Sequence, residues 1–404
     1  MKIDLINLRE SFSIFEKEKS SAYLDSAATA QVPDSVINKM EEYYKYYCSN
    51  VHRGVNLQNE KSTNEFETAR NVIQSFVDAK YVSEIVFTKN CTESINLVAN
   101  GWAKHNLKAG DGIVLSILEH HSNIVPWLQL KKEIGINLHW IDLSEDGQLD
   151  MNQYEKIIEE ENIKLVAITG QSNVLGIQTD LINIIAKAKA KGAPVLVDAA
   201  QLIAHKQVNV QKLDCDFLAF SGHKLYGPTG IGVLYVKRER QEEMQPWITG
   251  GGSVLEVHRD KFIPSETPSM FEAGTPPIAE AIGLAESIKW INMYEWKDIQ
   301  EYESSLISYA TEEMNKISSL KILGSNNKHG CISFILDGIH PHDVADIAGE
   351  MDVSIRAGNH CAMPLHTALG IPASNRMSIA LYNKKEDIDL LIKAINKAIT
   401  IFSK

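Results

Sequence analysis

No apolar run in this 404-residue chain approaches the roughly 18 uninterrupted residues that a membrane span requires. The opening text, "MKIDLINLRESFSIFEKEKS", mixes both charge signs and lacks the apolar core and small-residue cleavage site of a signal peptide. From these absences a cytoplasmic protein without a membrane partner is expected. Basic charge is also in short supply. The 52 acidic residues outnumber 40 basic ones, for a formal net charge of −12. That balance argues against nucleic acid as a partner, which would need a clustered basic surface. Cysteine is scarce: Cys48, Cys91, Cys215, Cys331 and Cys361 are scattered, odd in number and form no CxxC pair. Neither a disulfide framework nor a zinc knuckle reads that way, so five reduced thiols are expected. Repeats, heptads and low-complexity tracts are missing too.

What is present is an ordinary globular composition, 44% hydrophobic and 23% charged, in a chain too long for one ordinary core. From about residue 21 to 235, short apolar runs alternate with longer helical patterns. "EIVFTKN" precedes "CTESINLVANGWAKH", "GIVLSILEHH" precedes "NIVPWLQLKKEIG", and "KLVAITG" precedes "LINIIAKAKAKG". "PVLVDAAQ" and "FLAFSGHK" follow. These runs are β-branched and nearly continuous, as strands covered by helices on both faces are. The fold class is therefore α/β, with a mostly parallel, doubly wound sheet. Residues 238–275, which contain "TGGGSV", break the rhythm and read as a long surface excursion, usually functional or covering a partner. After a further helical stretch the pattern becomes β-α-β-β-α. The expected domains are a large unit over 21–290 and a smaller α+β unit over 291–404, with residues 1–20 packing on the smaller one.

Ligands of an open parallel sheet collect beyond the carboxyl ends of its strands. Thr92 and Glu93 follow "EIVFTKN" at the start of a helix, where a hydroxyl and free N–H groups suit a phosphate; a plain N-cap is the alternative. His120 follows "GIVLSILE" and is either structural or catalytic. Asn173 follows "KLVAITGQS" and says little alone. Asp198 ends "APVLVD", with Gln201 three residues on; the acid is either a cap or the partner of a cationic ring nitrogen. After "FLAF" come Ser221, Gly222, His223 and Lys224. A lysine at the sheet's carboxyl edge among small residues suits a Schiff-base amine. Phosphate cradle, carboxylate and amine together are the groups that pyridoxal 5'-phosphate needs.

The text also carries "YLDSAA", "VHRG", "TESINLVA", "EHHSNIVPW", "QSNVLG", "VLVDAAQ", "DCDFLAFSGHKLYGPTGIGVLY", "FEAGTP" and "RAGNHCAMP". Together these resemble the SUF-type (group II) cysteine desulfurases, class V members of the fold-type I pyridoxal-phosphate enzymes. The match runs from about Tyr23 to the C-terminal helix. "SGHK" alone would mark only the superfamily, and the late cysteine stretch narrows it. The resemblance implies that Lys224 binds the cofactor covalently and shuttles the substrate's Cα proton. It implies Asp198 at the pyridinium nitrogen, Gln201 at the ring hydroxyl and His120 stacked on the ring. It implies Thr92, Ser221 and His223 at the phosphate, with Thr275 joining from the other subunit of a homodimer. Asn173 and Arg376 would hold the substrate carboxylate. Arg356 and His360 would lie close to the thiol, and His52 and Arg53 near the site mouth. Where the family usually shows two histidines before the cysteine, this chain has Asn359 and His360.

Cys361 would be the nucleophile that takes sulfur from L-cysteine, leaving L-alanine and a protein persulfide. A sulfur-acceptor protein of the SUF system would then receive the sulfur for iron–sulfur cluster assembly. The attacking species must be thiolate, and Arg356 and His360 are the groups placed to promote it. Cys91, Cys215 and Cys331 suit small apolar fillers. The alternatives are a selenocysteine lyase, another class V lyase or aminotransferase, and a non-catalytic scaffold. A metal site from His120, His121, His360 and Cys361 has no ligand spacing that requires it.

Overall fold

The computed structural model describes residues 5–17, 21–52 and 54–402. Its main sheet has seven strands in the spatial order Ile85–Thr88, Gly232–Val236, Phe217–Ser221, Val195–Asp198, Ile163–Thr169, Gly112–Ser116 and Asn137–Ile141. Gly232–Val236 runs antiparallel to both its neighbours, and the other pairs are parallel. Central strands such as Val195–Asp198 are buried along their whole length, which is why their sequences read as unbroken apolar runs. Alternate residues enter different cores: Val195 and Val197 pack on one face, Leu196 on the other.

A second sheet of four antiparallel strands follows, ordered Leu320–Ile322, Cys331–Leu336, Ser374–Ser378 and Arg356–Gly358. Its own core gathers Phe334, Met377 and Leu391, and takes in Ala22 and Leu24 from the start of the chain. The two-residue strand Ala22–Tyr23 pairs in parallel with Val353–Ser354, so residues 22–24 pack with the C-terminal layer rather than the main sheet. Arg9 binds Asp387 at 3.0 Å, while the Phe12 ring lies 5.1 Å from that of Tyr382 and 5.4 Å from that of Trp290. The N-terminal helices thus bridge the C-terminal helix Lys385–Phe402 and the long helix Ile278–Ile291.

The excursion at 238–275 contains an antiparallel hairpin, Val254–Val257 with Phe262–Pro264. Its apolar side chains Leu255, Val257, Phe262 and Ile263 are exposed. The segment's far end is pinned by Glu272, which takes two hydrogen bonds from the buried Arg70 guanidinium at 2.6 and 2.9 Å. Among the described residues no helix is long and apolar enough to cross a membrane.

Candidate active site

Where the strands Ile163–Thr169, Val195–Asp198 and Phe217–Ser221 end, a cavity of about 270 Å³ opens between the main sheet and the loop after Arg356–Gly358. Thr92, His120, Asn173, Asp198, Gln201, Ser221, His223, Lys224, Arg356, His360, Cys361 and Arg376 all line it. The sequence expectation thus gathers on one cavity, with four exceptions. Glu93 turns its carboxylate back to Lys89 N, completing the cap that Asn90 begins for the helix Cys91–Leu97. Thr275 and His52 line a separate groove of about 640 Å³ with Gly252 and Ser269, and His52 bonds Glu67 at 2.9 Å. Arg53 lies outside the described residues.

The floor is set by strand ends. Asp198 is buried, and both hydrogen bonds to its carboxylate, from Ala200 N at 2.9 Å and Cys91 Sγ at 3.4 Å, reach Oδ1. Oδ2 has no protein donor among the described residues. Burial raises this carboxyl above the usual range, with the Lys224 ammonium pulling the other way. Lys224 sits on the tight turn Gly222–Lys224 that closes the strand Phe217–Ser221. Its amine makes no hydrogen bond among the described residues, and burial holds it below the ordinary lysine value against the pull of Asp198. Gly232 lets the helix cap approach: a Cβ there would meet the Asn90 backbone at 2.5 Å. In that packing Cys91 N donates to Ser221 Oγ at 2.8 Å.

His120 is fixed by its neighbour. Ser122 N donates to its Nδ1 at 3.1 Å, so that nitrogen is an acceptor and the neutral ring carries its proton on Nε2. Burial, then the Lys224 charge, brings this imidazole down to about 3; the same two causes bring His223 to about 4. Beneath the turn lies Glu119, fully buried and pushed up to about 8 by burial. It accepts from Thr169 N at 2.9 Å, from Asn123 Nδ2 at 2.7 Å and from Ser116 Oγ.

The lip is built differently. His360 and Cys361 have φ of +52° and +56°, a left-handed conformation that non-glycine residues rarely take. Long-range clamps hold them there. Asn173 Nδ2 donates to His360 O at 2.8 Å, His121 N to Cys361 O at 2.8 Å, and Met363 N to His121 Nε2 at 3.1 Å. Cys361 N donates to the side chain of Asn359 at 3.1 Å, so the residue in the histidine position shapes the turn. Arg376 donates to Asn173 O at 2.9 Å and to Asp25 at 3.0 Å, while its buried Nε has no partner. Arg356 shares Asp25 at 3.0 Å.

With this geometry in place, the comparisons are specific. The aminotransferase class-V model matches residues 22–391. The chain belongs to that family, on its cysteine desulfurase branch. A cysteine desulfurase of Pectobacterium atrosepticum is 40% identical over 401 residues, covering 98% of each chain. A probable cysteine desulfurase of Staphylococcus aureus is 42% identical over 405 residues, covering 99% of this chain and 98% of that one. Among solved structures, the apo cysteine desulfurase of Thermococcus onnurineus superposes with a TM-score of 0.94 at 39% identity. The cysteine desulfurase CsdA of Escherichia coli gives 0.92 at 36%; each pair is covered over 99% of both chains.

The family depends on pyridoxal phosphate, and the cavity of this chain fits that group. A buried carboxylate offers one free oxygen, an unbonded amine faces it across the floor, and Ser221 and Thr92 stand at a helix start. Residues that sequence reasoning missed are Asn90, Cys91, Ser122 and Gln171, which also line the cavity, and Glu119 beneath it. The strand-end rule applied one or two residues earlier reaches Cys91 and its N-cap Asn90, since only Lys89 separates them from the strand Ile85–Thr88.

Proposed function

We propose that this chain takes sulfur from L-cysteine, leaves L-alanine, and holds the sulfur on Cys361 as a persulfide for an acceptor protein. The observation that supports the reading is that Lys224, Asp198 and Cys361 open into one cavity. Pyridoxal phosphate, when bound, supplies the electron sink that loosens the substrate's Cα proton and its Cβ–sulfur bond. Asp198 would hold the ring nitrogen, Gln201 the ring hydroxyl, and Thr92, Ser221 and His223 the phosphate. Lys224, whose amine burial holds below the ordinary lysine value, would bind the cofactor and carry the Cα proton. His120 would stack on the ring as a neutral imidazole with its proton on Nε2. Arg376 and Asn173, which both line the cavity, would hold the substrate carboxylate.

Cys361 then attacks the substrate sulfur as thiolate. A sulfur–sulfur bond forms, the substrate's Cβ–sulfur bond breaks, and its electron pair stays on carbon, where a proton completes alanine. Cys361 is exposed at the lip, so the outer sulfur is open to an acceptor's thiolate. That acceptor is a SUF-type protein feeding iron–sulfur cluster assembly in the cytoplasm.

The functional unit is a homodimer of two-domain chains, a large unit over 21–290 and a small one over 291–404. The exposed apolar hairpin and the groove of Thr275 and His52 support this, because the groove shares no residue with the Lys224 cavity of the same chain. In a dimer Thr275 would join the phosphate site of the other subunit. Product analysis with pyridoxal phosphate, L-cysteine and a reductant tests the proposal. Alanine and sulfide in equal amounts, lost in Cys361→Ala, is the expected result. Pyruvate with sulfide, indifferent to that substitution, would mean β-elimination and overturn it.

A further inference from the structure

The strands Arg356–Gly358 and Ser374–Ser378 pair so that Arg356 and Arg376 stand directly opposite each other. Like charges in that register repel, and an anion between them removes the cost. Asp25 supplies it. Its Oδ1 accepts from Arg376 Nη2 at 3.0 Å, and its Oδ2 accepts from Arg356 Nε at 3.1 Å, with Arg356 Nη2 at 3.0 Å. The acid comes from the far end of the chain and is set in place by backbone pairing. Leu24 N donates to Ser354 O at 2.9 Å, Ser378 N donates to Leu24 O at 2.7 Å, and Asp25 bridges Ser378 in parallel. Both arginines line the cavity, as do Ala27 and Ala28, whereas Asp25 is not among its lining residues.

Two guanidiniums and one carboxylate leave this side of the cavity with one net positive charge. The lining imidazoles do not alter that at neutral pH, because burial, first of all, holds His120, His223 and His360 well below their ordinary value. On the floor the Lys224 and Asp198 charges offset each other. One carboxylate of a bound amino acid therefore balances the charge. A second would be left unpaired beside a buried guanidinium, where an uncompensated charge is costly.

We propose that Asp25 is a positioning residue that holds Arg356 and Arg376 at one net positive charge, matching the cavity to an amino acid with a single carboxylate and disfavouring dicarboxylic ones. It acts through the two arginines, and the assignment rests on the desulfurase reading, which gives them the substrate carboxylate. Specificity of this kind comes from the missing charge as much as from the charge present.

The test compares L-alanine, the expected product, with L-aspartate, which carries a second carboxylate. Each is titrated at low salt into cofactor-loaded protein, with the visible absorbance of the cofactor as the readout and no turnover required. Asp25→Asn adds one net positive charge and is expected to improve aspartate relative to alanine by about tenfold, as a unit charge some 10 Å away does at an effective dielectric of about 20. Arg356→Gln removes one and should move the ratio about tenfold the other way. Asp25→Glu keeps the charge and should keep the ratio. A merely structural role would weaken both ligands together and would not give shifts of opposite sign. If Asp25→Asn fails to hold cofactor, Arg356→Gln decides alone. A ratio equal to the parent's in the variants overturns the charge match. A parent that shows the expected ratios yet makes no alanine from L-cysteine would sink the desulfurase reading instead.

Discussion

Two thiols face the same cavity and have opposite surroundings. Cys91 lies in the floor, fully buried, where burial and then the Asp198 carboxylate push it well above the usual thiol range. Cys361 stands exposed on the lip, on a left-handed turn clamped by side chains from distant parts of the chain. Chemistry thus follows placement rather than residue type. The floor is rigid sheet and holds a cofactor. The lip is a shaped loop that presents Cys361, the proposed nucleophile, outward.

The widest gap between the two should appear when each is broken in turn. Lys224→Ala is expected to abolish both the visible absorbance of bound cofactor and all alanine formation. Cys361→Ala is expected to keep the absorbance and lose sulfur transfer, and Cys91→Ala to keep both. Absorbance spectra and alanine assays read this directly; a Cys361→Ala protein of full activity would erase the distinction. Next in size is Asp198→Asn, which removes the carboxylate proposed to pair with the ring nitrogen. Turnover should fall about 10²–10³-fold, the usual effect of deleting one aimed electrostatic group. Steady-state kinetics at saturating cofactor checks it.

On the lip, Asn173→Ala deletes the bond that holds His360 O. One such bond is worth about 0.5–1.5 kcal/mol, so kcat/KM should drop by up to about tenfold. Thermal stability should change little, because the loop is a small part of the fold. A separate effect, read on stability rather than turnover, concerns Glu119, whose folded-state value of about 8 lies above its ordinary 4.5. A raised carboxyl contributes stability that is fully present below the ordinary value and lost as pH rises through the folded one. Wild type should therefore lose stability relative to Glu119→Gln between about pH 4.5 and 8. Paired melting curves across that window would show no convergence if the carboxyl were ionised throughout.

The floor was legible in the sequence because a parallel sheet gathers its strand ends. Asp198 and Ser221 each directly follow an unbroken apolar run, Lys224 comes three residues after Ser221, and that placement marks them. The lip was legible only by resemblance. The clamp from Asn173 to His360 spans 187 residues and that from Met363 to His121 spans 242, distances at which local pattern carries no information. Asp25 reads as one more residue of "YLDSAA" until the fold brings both arginines against it. Nothing in the local pattern marks Glu119 as buried; Ser116 and Asn123 donate to it from nearby, and Thr169 N from a neighbouring strand. Thr275 and His52 fall in a groove that this chain alone does not join to the cavity.

The central claim is that sulfur leaves L-cysteine through Cys361. One turnover with limiting L-cysteine, stopped and digested, tests it by mass spectrometry of the peptide that carries Cys361. One added sulfur on that peptide, matched by one alanine released, is the predicted result. Alanine or pyruvate formed with the peptide unmodified, and sulfur free in solution before any reductant is added, would contradict the account.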